Sequence, residues 1–134
     1  MKRFFLILGF ILMLLVGCTK TIDTVTINTD INSYTPAMSS VQGITMTPNF
    51  KSEKSFSKLI YHWTTTEGEF IGAGNEVNNQ GEAVIWSAIE NDKVTEIKIP
   101  FDIRLEVIDS ESQKILANTK LTIIPNNGFY EIKK

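Results

Sequence analysis

Residues 101–108 constrain the fold more than any other stretch of the chain. Phe101, Ile103, Leu105 and Val107 take alternate positions, and Asp102, Arg104 and Glu106 fill the places between them. A helix would scatter those apolar side chains around its axis, whereas a strand sends successive residues to opposite faces. The stretch therefore predicts a β-strand with one face in a core and one charged face in water. Asp109-Ser110-Glu111-Ser112 follows as a turn. Residues 115–124 then return as a partner strand, with Ala117, Thr119, Leu121 and Ile123 on one face.

Similar signals run through the rest of the chain. Thr24-Val25-Thr26-Ile27-Asn28 alternates polar and apolar and predicts a first strand at the edge of the domain. The folded part is expected to begin near Val41, and the alternation over 43–47 to stop at Pro48, which cannot continue a central ladder. In 56–66, Leu59, Tyr61 and Trp63 share the expected core face, while Ile60, His62 and Thr64 share the outer one. Trp63 is expected to meet Leu105 across two sheets. Glu67-Gly68 is read as a turn from which 69–71 returns as a neighbouring strand. Residues 72–82 hold three glycines, three asparagines and one aliphatic, Val77, and are read as a loop. Residues 83–87 predict a strand with Val84 and Trp86 on one side, and 129–132 a last short piece. After residue 18 nothing keeps a 3.6-residue apolar period over three turns. The expected fold is all-β, an antiparallel β-sandwich of about seven strands.

The arrangement of Tyr61-His62-Trp63 and Gly68, then Leu105-Glu106-Val107-Ile108-Asp109, then Lys120-Leu121-Thr122-Ile123, resembles the immunoglobulin-like sandwiches of bacterial surface proteins, in particular the PKD-like group. The resemblance spans about 41–124 and implies an immunoglobulin-like sandwich. Thr65-Thr66-Glu67-Gly68 stands where those domains carry an acidic, glycine-rich turn, and there is no cysteine pair. Such a likeness carries a fold and no function.

At the other end of the chain, Lys2 and Arg3 precede an apolar run over 4–16 that is broken only by Gly9, and Leu15-Val16-Gly17-Cys18 closes it. Spanning a bilayer takes about 20 apolar residues, which this run does not supply. A basic start, an apolar run and small residues at a cut are the parts of a secretory signal. A cut before cysteine resembles the bacterial lipoprotein signal, which implies that Cys18 is acylated and becomes the first residue of the mature chain. Three segments are therefore expected: a signal peptide at 1–17, a lipidated cysteine with tether and edge strand at 18–40, and the sandwich at 41–134. The partner implied at Cys18 is a membrane, with the chain lipid-anchored on its extracytoplasmic face.

Removing 1–17 takes Lys2 and Arg3 from 13 basic residues, which leaves 11 against 15 acidic ones and a net charge of −4. Nucleic-acid binding needs clustered phosphate-neutralising cations, and Lys51, Lys54 and Lys58 are interrupted by Glu53. No nucleic-acid partner is expected. His62 is the only histidine and Cys18 the only cysteine. On the outer face of its strand His62 has Ile60 and Thr64 beside it, neither of which orients a catalytic base. The chain is therefore expected to be no enzyme and to hold no cofactor. Zinc is disfavoured, because one histidine and one lipid-modified cysteine cannot make its site unless carboxylates supply most of the ligands; calcium is the alternative to no metal, through Glu67, Glu69, Glu76 and Glu82. Loops are the surface a sandwich can spare for binding. The candidate partner-binding residues are accordingly Glu69, Asn75, Glu76, Asn78 and Asn79. The expected function is a tethered, non-catalytic interaction domain that meets another envelope protein or a cell-wall component. The alternative is an inhibitor of an extracellular or cell-wall hydrolase, with 72–80 as its inserting loop.

Overall fold

The computed structural model describes residues 22–38 and 40–133; Cys18 and the signal peptide expected at 1–17 lie outside the described residues. The strands are β1 (Thr24–Thr29), β2 (Ser33–Tyr34), β3 (Ile44–Lys51), β4 (Leu59–Thr65), β5 (Glu69–Phe70), β6 (Glu76–Asn79), β7 (Val84–Ser87), β8 (Ile89–Glu90), β9 (Lys93–Val94), β10 (Phe101–Asp109), β11 (Ile115–Asn126) and β12 (Phe129–Ile132). They build an antiparallel β-sandwich. One sheet has the order β1-β3-β7-β5, the other β2-β12-β11-β10-β4-β6, and β8 and β9 form a separate hairpin.

The alternation over 101–108 does what its pattern requires. Phe101, Ile103, Leu105 and Val107 are buried, and Asp102, Arg104 and Glu106 line the opposite face. β10 is the middle of the six-stranded sheet, paired with β11 on one side and β4 on the other. The core between the sheets joins this row to Trp63, Trp86, Tyr34, Phe70, Ile44, Met46 and Ile123. β1 lies at an edge of the smaller sheet, as the alternation over 24–28 predicts, with Val25 buried against the core.

Several expectations change. Trp63 and Leu105 do not face each other across the sheets; they are cross-strand partners in one sheet. Trp63 instead meets Phe70 of the opposite sheet edge-on, with ring centroids 6.3 Å apart. β5 does not return beside β4: it crosses to the other sheet and pairs with β7. Residues 72–82 are not all loop, because β6 pairs with β4 from Tyr61 opposite Asn79 to Thr64 opposite Glu76. Val77 packs against the core, and that contact outweighs the weak strand preference of its asparagine neighbours. β3 also runs on through Pro48 to Lys51. β7 reaches only as far as Met46, so Pro48 has a partner strand on one side alone, where a missing N–H is tolerated. The sandwich starts before Val41: β1 and β2 belong to its sheets, and Tyr34 is fully buried.

The crossover after β4 is tightly packed. Gly68 has φ +69°, and a side chain there would run into the Trp86 ring and the Ser87 carbonyl. Trp86 Nε1 donates to the Glu67 carbonyl at 2.8 Å. The Trp63 indole N–H, by contrast, is buried without an acceptor, an omission that typically costs about 1–3 kcal/mol. Two substitutions separate these effects. Trp63→Ala should lower stability by about 3–5 kcal/mol, the range for emptying a large aromatic site. Trp63→Phe should cost much less, because it keeps the contact with Phe70 and removes the orphaned N–H. Urea midpoints of the two variants measure the difference.

Candidate functional site

The outer face of the six-stranded sheet is polar, and its register decides which side chains meet. His62 on β4 stands opposite Glu106 on β10 and opposite Asn78 on β6. Glu76 lies on the diagonal, one strand over and two residues along. His62 Nε2 is 2.7 Å from Glu76 Oε1, and Nδ1 is 3.9 Å from Glu106 Oε1. The imidazole is held between two carboxylates, with 23% of its side chain exposed. The expectation that His62 lacks carboxylate neighbours is therefore corrected: they come from adjacent strands, not from its own.

This cluster lies in an open groove of about 470 Å³, lined among others by Lys58, Asn78, Asn79, Gln80 and Gln113 with Ile60 and Ile108. Amides, one ammonium and one imidazole present both donors and acceptors to a ligand. No hydroxyl or thiol belongs to this lining.

The five candidate partner-binding residues separate into two groups. Glu76, Asn78 and Asn79 line the face groove. Glu69 and Asn75 line a second groove of about 340 Å³ with Thr66, Gly68, Gly74 and Glu90, at the end of the sandwich where β4 crosses to β5. The calcium set does not assemble. Glu76 is engaged with His62, and Glu82 accepts from the Gln80 amide. Glu67 turns its backbone carbonyl to Trp86 and to the Thr65 hydroxyl. Among the described residues no three carboxylate, histidine or cysteine side chains are placed to hold a metal ion.

Further along the same face, Asp102 accepts from the Thr122 hydroxyl at 2.6 Å and lies 3.5 Å from both Arg104 and Lys120. The hydrogen bond from Thr122, and then the charge of Lys120, hold the Asp102 carboxyl below its usual range. Asp109 is held low in the same sense by the Ser112 hydroxyl and the Glu111 amide within the β10–β11 turn. These cross-strand partners on the sheet face are what residue-by-residue reading missed. The signal was present: once β4 and β10 are neighbours, pairing Trp63 with Leu105 puts His62 opposite Glu106. No protein-family model, curated protein or solved structure matches the chain, so the functional reading rests on this geometry.

A carboxylate whose folded-state pKa is depressed adds stability above its unfolded value of about 3.9 and loses it as pH falls through the folded one. Stability should therefore decline on the acid side, below about pH 4, with Asp102 and Asp109 contributing. Thr122→Val should move the Asp102 pKa back toward its ordinary value and shrink that acid-side decline. Carboxyl NMR titration and urea midpoints across the acid range check both.

Proposed function

We propose that the chain is an exported lipoprotein, anchored through Cys18, whose sandwich binds another component of the cell envelope. The observation that carries the binding half is β6. It ends the six-stranded sheet as an exposed edge, and its Glu76, Asn78 and Asn79 rim the face groove beside His62. A sheet edge carries unpaired backbone donors and acceptors, and an extended segment can add to it while side-chain pockets set specificity. The inhibitor reading has less to work with, because much of 72–80 is taken up by β6 and only the turn before it projects.

The anchoring half rests on Leu15-Val16-Gly17-Cys18 and on the short distance to the first strand. Six residue steps separate Cys18 from Thr24. At about 3.6 Å each they reach no further than about 22 Å. Acylation at Cys18 would therefore keep the sandwich close to the bilayer, with the start of β1 nearest to it. More than one acyl chain would make that tether lasting.

Each half has its own test. Cys18→Ser should abolish palmitate labelling and move the protein from the membrane fraction to the soluble one. Continued labelling, or unchanged fractionation, would overturn the anchor. For the binding half, Glu76→Ala combined with Asn78→Ala alters the groove while leaving Val77 and the pairing with β4 in place. The double variant should fold as the parent does and lose most of its cross-linking to envelope partners in intact cells. An unchanged cross-linking pattern from the folded variant would remove β6 as the contact.

A further inference from the structure

The sandwich has a second surface, at the end away from the start of β1. A groove of about 390 Å³ opens there between β5 and the β8–β9 hairpin, with Ile71, Ile89, Gln42, Glu69, Ser87 and Asp92 in its lining. Ile71 is 48% exposed and Ile89 37%. Val94, the cross-strand partner of Ile89, is 65% exposed. Three aliphatic side chains are thus exposed to water, Ile89 and Val94 on the hairpin and Ile71 in the turn after β5, and the hairpin turns through Asn91 and Asp92, both at positive φ. That pair of left-handed residues is the type I′ pattern of a tight two-residue turn.

The surroundings of this groove are acidic. Across 66–75 and 87–98 the chain carries Glu67, Glu69, Glu90, Asp92 and Glu96 against Lys93 and Lys98. Lys98 lies 3.6 Å from Glu96, which leaves Glu67, Glu69, Glu90 and Asp92 facing one lysine. Glu69 is shared with the neighbouring 340 Å³ groove that Glu90 also lines. An anionic lipid surface or a nucleic acid would be repelled here.

We propose that this groove docks a partner protein through an extended segment in which aliphatic side chains alternate with lysine or arginine. The aliphatic side chains would cover Ile71, Ile89 and Val94, and the cations would lie against Glu69 and Asp92. Contact is by side chains, not by strand addition: the Phe70 amide donates to the Gly74 carbonyl at 2.7 Å and the Ala73 amide to the Phe70 carbonyl at 3.0 Å, so the outer edge of β5 is already closed by its own turn. The inference rests on the reading of the chain as a binding module and adds a contact distinct from β6.

The test uses the full-length acylated chain in neutral detergent micelles with three capped synthetic peptides: alternating Lys/Ile, alternating Glu/Ile and alternating Lys/Ser. Calorimetry should show the Lys/Ile peptide binding, more weakly at high salt, and the other two binding at least about tenfold more weakly. Glu69→Gln with Asp92→Asn, and separately Ile71→Ser, should each weaken the Lys/Ile peptide by about tenfold or more. Far-UV circular dichroism verifies that each variant is folded. The Glu76→Ala, Asn78→Ala variant should bind that peptide as the parent does. No Lys/Ile binding in the millimolar range, equal binding of the Glu/Ile peptide, or unchanged affinity in the folded tip variants would overturn the proposal. Those results would leave the β6 cross-linking result standing, so failure here is distinguishable from failure of the β6 contact.

Discussion

Trp86 couples the two sheets, and the positions of both candidate surfaces depend on it. Its ring projects from the smaller sheet into an aromatic group supplied by the larger one: Phe101 at 5.2 Å, Tyr130 at 5.3 Å and Tyr34 at 6.2 Å between centroids. Such pairs add to the area they bury, because the positive edge of one ring meets the negative face of another. The polar atoms of the group are also satisfied. The Trp86 indole donates to the Glu67 carbonyl, Tyr34 is hydrogen-bonded to Ser87, and the Tyr130 hydroxyl donates to the Thr95 carbonyl while accepting from the Ile97 amide. Trp86 thus ties the crossover at 66–68 to the start of β10, and Tyr130 beside it holds the segment that precedes β10.

That crossover explains why residues close in sequence end far apart in role. Gly68 lets the chain pass against the Trp86 ring, where any side chain would collide. Beyond it β5 joins the smaller sheet, the chain turns at 70–74, and β6 returns to the larger sheet beside β4. Glu69 is left at the acidic tip while Glu76, seven positions on, reaches His62. A single adaptable loop over 72–82 would have left Glu76 on a mobile surface next to the strand that carries Glu69. The structure distributes them over two surfaces, each backed by a strand.

The strands with clean alternation were legible from sequence because their pattern and their burial have one cause. In 101–108 every second side chain is apolar, and every one of those is buried. β6 was not legible, because Glu76-Val77-Asn78-Asn79 has only one residue that favours a strand and gains its pairing from tertiary contact with β4. Pro48 misled for a related reason: the rule against proline applies to strands bonded on both sides, and β3 has lost β7 by that point. The His62 cluster was hidden because periodicity assigns a side chain to a face without saying which strand lies next to it. Cross-strand neighbours follow only from topology, and β4 beside β10 joins segments some forty residues apart in the chain.

The two surfaces also differ in the direction from which a partner can reach them. Thr24, at the start of β1, is paired with Lys51, and the β10–β11 turn lies at the same end, since the Ser110 amide donates to the Lys58 carbonyl in the connection that follows β3. A chain acylated at Cys18 is drawn toward the bilayer at that end. The aromatic group, the crossover and the acidic groove occupy the opposite end, which such an anchor would turn away from the bilayer. The β6 edge runs along the side between them, and the His62 groove beside it reaches the β10–β11 turn end through Lys58 and Gln113. In that arrangement a component standing beside the protein in the same membrane would lie along β6, whereas one approaching from the wall or the medium would meet the tip first. In a domain tethered that way, the separation of Glu69 from Glu76 at the Trp86 crossover would leave the two grooves facing different directions.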